Sequence, residues 1–174
     1  MTAFQTYTAG QILTAAQMTT LQGYGAAMAI FTDSKASGAD GGTATSGSFL
    51  TRTLNTTQYN NLAACSLASN QITLTAGTYY FDCYAIAGQV VRHQAKLRNI
   101  TAGTDAIIGS SECTIDAAVT GTHATVRGVV TITGSTVFEL QHRVETTKAS
   151  TGFGIGNSFG LTMVFAEVVI RQIA

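Results

Sequence analysis

Proline and tryptophan are absent from this sequence, and charge is scarce. Nine basic and nine acidic side chains, 10% of 174 residues, cancel to a formal net charge of zero, where soluble domains usually carry about 25% charged residues. Without a basic excess the chain has no electrostatic footprint for nucleic acid or for an anionic membrane surface, so neither is an expected partner. The same neutrality removes the self-repulsion that keeps small proteins apart. No run approaches ~20 uninterrupted apolar residues, so membrane insertion by a helix is not expected. The opening Met1-Thr2-Ala3-Phe4-Gln5-Thr6-Tyr7 has neither the basic nor the apolar region of a secretory signal. Cysteine is limited to Cys65, Cys83 and Cys113, odd in number and without Cys-x-x-Cys spacing. That usage reads as reduced, mostly buried thiols made in a cytoplasm.

Chemistry-bearing constellations are equally thin. The cysteines lack His or Cys neighbours at zinc-ligand spacing. Asp33, Asp40, Asp105 and Asp116 are scattered, with no Asp-x-Asp calcium spacing. Gly156-Asn157-Ser158-Phe159-Gly160 matches the Gly-x-Ser-x-Gly of a hydrolase elbow, but a β pattern follows it and all three His precede Ser158, so it reads as a glycine-rich turn. Gly152-x-Gly154-x-Gly156 has no following helix to receive phosphates. No enzyme activity, catalytic residue, cofactor or metal is therefore expected.

What is present is enough apolar material to fold. Hydrophobic residues make up 45% of the chain, and a single domain of this length buries ~70% of its unfolded surface. Residues 1–31 hold the one helix signal. Thr14-Ala15-Ala16-Gln17 is a capping box, Leu13 and Met18 occupy the staple positions, and Gly23 is a stop. A helix of about two turns is too short to stand alone, so Leu13, Thr14, Gln17, Met18 and Leu21 are expected to attach the chain to something larger. Residues 32–48 read as a flexible polar linker. From Phe49 to the end the pattern is β: Thr, about one residue in six, alternates with Val, Ile, Tyr and Phe. Eight strands are predicted at 49–54, 70–75, 78–87, 90–99, 106–114, 123–133, 136–145 and 160–172, at the spacing of a sandwich or barrel.

Alternation assigns the faces. Phe138, Leu140, His142 and Val144 oppose Glu139, Gln141, Arg143 and Glu145, the pattern of a half-buried strand. His93, Ala95 and Leu97 oppose the basic row Arg92, Lys96 and Arg98, which reads as a solvated face. Two strands are apolar on both faces. In one, Tyr79, Phe81, Cys83 and Ala85 oppose Tyr80, Asp82, Tyr84 and Ile86; in the other, Leu161, Met163, Phe165 and Val169 oppose Val164, Ala166, Val168 and Ile170. A partner sheet covers one face, and another copy of the chain is the expected cover for the second. Tyr79, Phe81, Leu161, Met163, Phe165 and Val169 are accordingly expected at a subunit interface.

Phe49-x5-Asn55 followed by Gly77-Thr78-Tyr79-Tyr80-Phe81 resembles the signature of the complement C1q / tumour necrosis factor-like domain, with Phe49, Asn55, Gly77, Tyr79 and Phe81 as its motif residues. Asn157-Ser158-Phe159-Gly160-Leu161 is similar to the approach to that family's last strand. The resemblance implies an antiparallel jelly-roll sandwich over residues 49–174, assembled as a homotrimer whose inner sheets face a threefold axis. There His93 or His142 could meet its copies as an ion site or pH switch. The segment Thr8 to Met18 is similar to short openings of tailed-phage virion proteins. Asn99-Ile100-Thr101 and Glu139 to Arg143 are similar to phage fibre heads. These likenesses imply a virion protein made in a bacterial cytoplasm: a trimeric knob held to other virion proteins by residues 1–31, serving adhesion to a host-surface glycan or protein. A capsid decoration protein is the alternative. A secreted C1q-like module, which would give meaning to the sequons at Asn55 and Asn99, is the second alternative.

Overall fold

A computed structural model describes residues 9, 10, 12, 14, 15, 17, 27–117 and 119–173. Among these residues eleven strands run in chain order: β1 (Met28–Lys35), β2 (Leu50–Thr51), β3 (Thr56–Asn60), β4 (Ser66–Ala68), β5 (Gln71–Leu74), β6 (Gly77–Gly88), β7 (Arg92–Asn99), β8 (Thr104–Cys113), β9 (Gly121–Ile132), β10 (Thr136–Val144) and β11 (Met163–Gln172). They form two antiparallel sheets. The first is ordered β3-β1-β11-β6-β9, and the second β4-β5-β10-β7-β8 with β2 paired to β10 beside β5. Neighbours in sequence repeatedly fall in opposite sheets, which is the winding of a jelly roll.

The core follows from the period-2 alternation of the long strands. Phe81, Cys83 and Ala85 of β6, Val168 and Ile170 of β11 and Phe31 of β1 point inward from the first sheet. Leu97 of β7 and Phe138 and Leu140 of β10 meet them from the second, and the Phe81 and Phe138 rings lie 5.5 Å apart. Gly77 opens β6 where any Cβ would come within 3.1 Å of the Tyr79 ring. The Tyr79 hydroxyl donates to the Thr75 carbonyl at 3.0 Å, so the aromatic is buried without orphaning its oxygen.

Three sequence expectations are corrected. The boundaries at 31/32 and 48/49 do not divide the molecule: β1 crosses the first and lies between β3 and β11. It was hidden because Asp33 occupies a buried position, held by Arg52 at 3.6 Å and Lys35 at 3.2 Å. The linker is no free tether either. Gly38, Gly41, Gly42 and Ala44 bond the backbone of residues 148–157 at 2.6–3.0 Å. Finally, the eight predicted strands omit β3 and β4, whose short polar sequences suit sheet edges and carry no apolar alternation. At the N-terminus, Thr14 and Gln17 make the reciprocal bonds of a capping box: the Thr14 amide to Gln17 Oε1 at 2.9 Å and the Gln17 amide to Thr14 Oγ1 at 3.3 Å. Leu13, Met18 and Leu21 lie outside the described residues.

Candidate functional site

Strand direction gives the molecule two unlike ends. At one, Ala27 leads into β1 beside the last residues of β11, and the turns 100–103 and 133–135 are short. At the other, Lys35, Cys113, Val144 and Met163 bound the long connections 36–49, 114–120 and 145–162, and Gly88 leads into the short connection 89–91. Phe159 and Leu161 are exposed there, as are Ile115 and Val119.

Beneath that loop-bearing end the sandwich holds a buried polar cluster. Arg52, fully buried, donates to the carbonyls of Ile86 (3.2 Å), Phe153 (3.2 Å) and Phe165 (3.0 Å), and its guanidinium lies 4.2 Å from the Phe153 ring centroid. Burial lowers its pKa to about 10 against the opposing pull of Asp33. His142 stacks on Phe153 and shares a 2.9 Å hydrogen bond, Nε2 to Nδ1, with His93, whose Nε2 bonds Thr122 Oγ1 at 2.8 Å. Desolvation lowers His93 to about 4 and holds His142 well below 6.5, so both are neutral near pH 7. The cluster ties three carbonyls from separate segments to one cation, and it fixes the loop end of the sandwich. Both rings are buried within one chain, so neither stands on an outer face where copies could meet around an axis.

The outer faces of the two sheets differ in kind. On the first, the register places Tyr80 opposite Val129, Val169 opposite Asp82, and Ile30 opposite Val169. With Tyr84 and Ile86 these form an apolar and aromatic surface, half-buried to exposed, whose Asp82–Arg127 pair at 2.6 Å is self-neutralising. Burial and the nearby Glu167 raise the Tyr84 pKa, keeping its hydroxyl neutral. On the second sheet, Arg92, Gln94, Lys96 and Arg98 of β7 lie beside Gln141 and Arg143 of β10. The 46–49 loop borders this face and forms with it an open cleft of about 530 Å3, lined by Ser46, Phe49, Arg92, Gln94, Ser111, Arg143 and Glu145 among others.

The predicted interface residues divide accordingly. Tyr79 and Phe81 face the intrachain core, and their surface is already used by the opposite sheet. The outward side of β6 is the one carrying Tyr80, Tyr84 and Ile86. Phe165 is the extra residue of a bulge where Asp33 pairs Ala166 and Ser34 pairs Val164. Its ring lies under Gly154, where a Cβ would overlap it, and Met163 is 8% exposed. The second apolar face of β11 is thus closed partly by the chain's own loop. Val169 alone of the six lies in the outward apolar patch, and Leu161 is an exposed loop residue. Of the motif residues, Phe49 holds its ring 4.1 Å from Lys96 Nζ, and Asn55 clamps Ser34 through its amide and carbonyl. Ser158 sits in a loop that runs into β11, while His93 and His142 are engaged with each other.

No family model and no curated sequence matches the chain. Solved structures do. Murine APRIL, crystallised at pH 8.0, superposes with a TM-score of 0.52 at 6% identity, covering 83% of this chain and 98% of that one. The globular domain of zebrafish complement 1qA protein superposes at 0.51 and 13% identity, covering 84% and 98%. The fold is the C1q/TNF-like jelly roll. At these identities the likeness is one of architecture.

Proposed function

We propose that this C1q/TNF-like chain is a non-enzymatic binding head of a phage particle, a homotrimer closed by the outer face of the first sheet and serving adhesion to a host surface. The observation that carries the reading is the polarity of the jelly roll. Ala27 enters β1 at the end with short turns, and the long, braced loops project from the opposite end. A head joined from below and displaying loops above suits adhesion from a fibre. The apolar outer face of the first sheet supplies the self-association surface, because a contiguous patch of this kind is seldom left to water.

Labelled full-length protein incubated with candidate bacterial cells tests the adhesive role. Saturable binding that survives removal of residues 1–26 is the expected result. Absence of binding to every host of the parent phage, with the chain found on the capsid by immunogold labelling, would favour head decoration and overturn adhesion.

A secreted C1q-like module is the second reading, and one observation favours it. Asn99 of the Asn99-Ile100-Thr101 sequon uses only its carbonyl oxygen, on the Ala102 amide at 2.9 Å, so its amide nitrogen is uncommitted among the described residues. Asn55 differs, since its amide nitrogen donates to the Ser34 carbonyl at 2.8 Å. Expression through a glycosylating secretory pathway separates the readings: a glycan on Asn99 with native folding supports secretion, and misfolded or retained protein supports the particle.

A further inference from the structure

The cleft on the second sheet is built, not incidental. Its loop wall is fixed by the Ser46 amide and hydroxyl on Thr147 Oγ1 at 2.9 and 3.0 Å, and by Phe49 packed against Lys96. Gly47, at φ +102°, adopts a conformation that L side chains resist, and space beyond its Cα is open. On the floor, the Gln94 amide nitrogen is committed to the Gly109 carbonyl at 3.0 Å, which fixes the side chain. Its volume lies within the ~300–1,000 Å3 of small-ligand sites.

Charge decides what fits. Arg92 is matched by Glu145 at 3.6 Å, and Lys96 by Asp105 at 2.8 Å. Arg143 has no ion-pair or hydrogen-bond partner among the described residues. The cleft therefore offers one solvent-exposed guanidinium with no partner among the described residues, amid hydroxyl and amide groups and with an aromatic ring in its wall. A single planar fork suits one carboxylate held through two parallel bonds. It does not suit a polyphosphate, which calls for several cations. Ser111 and the Gln94 side-chain carbonyl line the cleft and can hydrogen-bond hydroxyl groups, and Phe49 offers apolar surface beside them.

We infer that this cleft is a subsite for a carboxylate-bearing sugar, with Arg143 gripping the carboxylate. The inference deepens the adhesion reading and rests on it for the origin of the ligand. The cleft lies on the sheet opposite the proposed subunit interface, toward the loop-bearing end, so assembly leaves it open and each copy in a trimer presents one. The chemistry is non-covalent.

Amide NMR of the full chain, titrated with a glucuronate-ended trisaccharide and with its glucose-ended counterpart, tests the assignment. Shifts confined to residues 46–49, 92–94, 111 and 143–145 are expected. Binding should be at least tenfold weaker for the neutral sugar and for Arg143→Gln, and unchanged for Lys148→Gln, whose side chain lies outside the cleft. No shift at millimolar sugar, equal binding of the neutral sugar, shifts on another surface, or an unaffected Arg143→Gln variant each overturns the inference. Cell binding measured alongside separates it from the broader reading. Cells bound without cleft shifts would overturn the sugar subsite and leave adhesion standing. Cleft shifts without cell binding would overturn adhesion and leave the subsite.

Discussion

The outer faces of the two sheets are made from strands of similar length and regularity, yet they present opposite chemistry. Tyr80, Tyr84, Ile86, Val129 and Val169 dominate the first, and its Asp82–Arg127 pair adds no net charge. The second carries Arg92, Lys96, Arg98, Arg143 and Glu145, with Glu139 set in a network of its own. Burial pushes the Glu139 pKa up, but hydrogen bonds from Gln71, Thr51 and Gln141 at 2.7–2.8 Å outweigh it and hold the carboxylate ionised. Neither face is used in packing the two sheets together. The difference bears on what each meets outside it: a surface of tyrosines and aliphatics gains by exclusion of water, and a surface of charges, most of them already paired, gains nothing by it.

Substitutions that probe this contrast should rank in size. Phe165→Ala should have the largest effect, about 3–5 kcal/mol of lost stability in denaturant unfolding, because the ring fills a site sealed by Gly154 within the chain. Dissociation of a still-folded protein would instead return Phe165 to the subunit interface. Tyr84→Asp combined with Val129→Asp places two charges on the apolar face. Complete loss of self-association by light scattering is expected, with the circular dichroism spectrum of the wild type. An unchanged oligomer would remove that face from the assembly. Acid should act on the interior common to both sheets. His93 titrates at about 4 when folded against 6.5 when unfolded, and His142 is lowered in the same direction. The unfolded state then takes up protons first, so stability is full above about pH 6.5 and falls as pH drops toward 4. Melting temperatures of wild type and His142→Gln across that window should show a shallower slope in the variant. The smallest effect belongs to the charged face. Arg92→Gln breaks an exposed 3.6 Å pair and should cost under about 1 kcal/mol of stability.

The long strands were legible because alternation is a local property. Phe138, Leu140, His142 and Val144 point inward as their spacing predicts, and so do His93, Ala95 and Leu97. β1 was not, because its inward Asp33 reads as a turn residue until Arg52, far along the chain, neutralises it. The face of β6 was assigned to the wrong side for a related reason: Tyr79 and Tyr80 are equally apolar, and only the Tyr79–Thr75 bond and the packing on the second sheet reveal which is inside. The cleft was invisible as well. Its basic row was correctly read as solvent-facing, but the cleft's wall comes from the 46–49 loop, braced through Ser46 by Thr147, a contact across 101 residues that no spacing encodes.

The claim on which the rest turns is that the aromatic outer face of the first sheet is covered by other copies of the same chain. Sedimentation equilibrium of the full chain at micromolar concentration tests it most directly. A single species of three times the 18.1 kDa chain mass is the predicted result. A folded species at the mass of one chain, with Tyr84 and Val129 open to solvent, would contradict it.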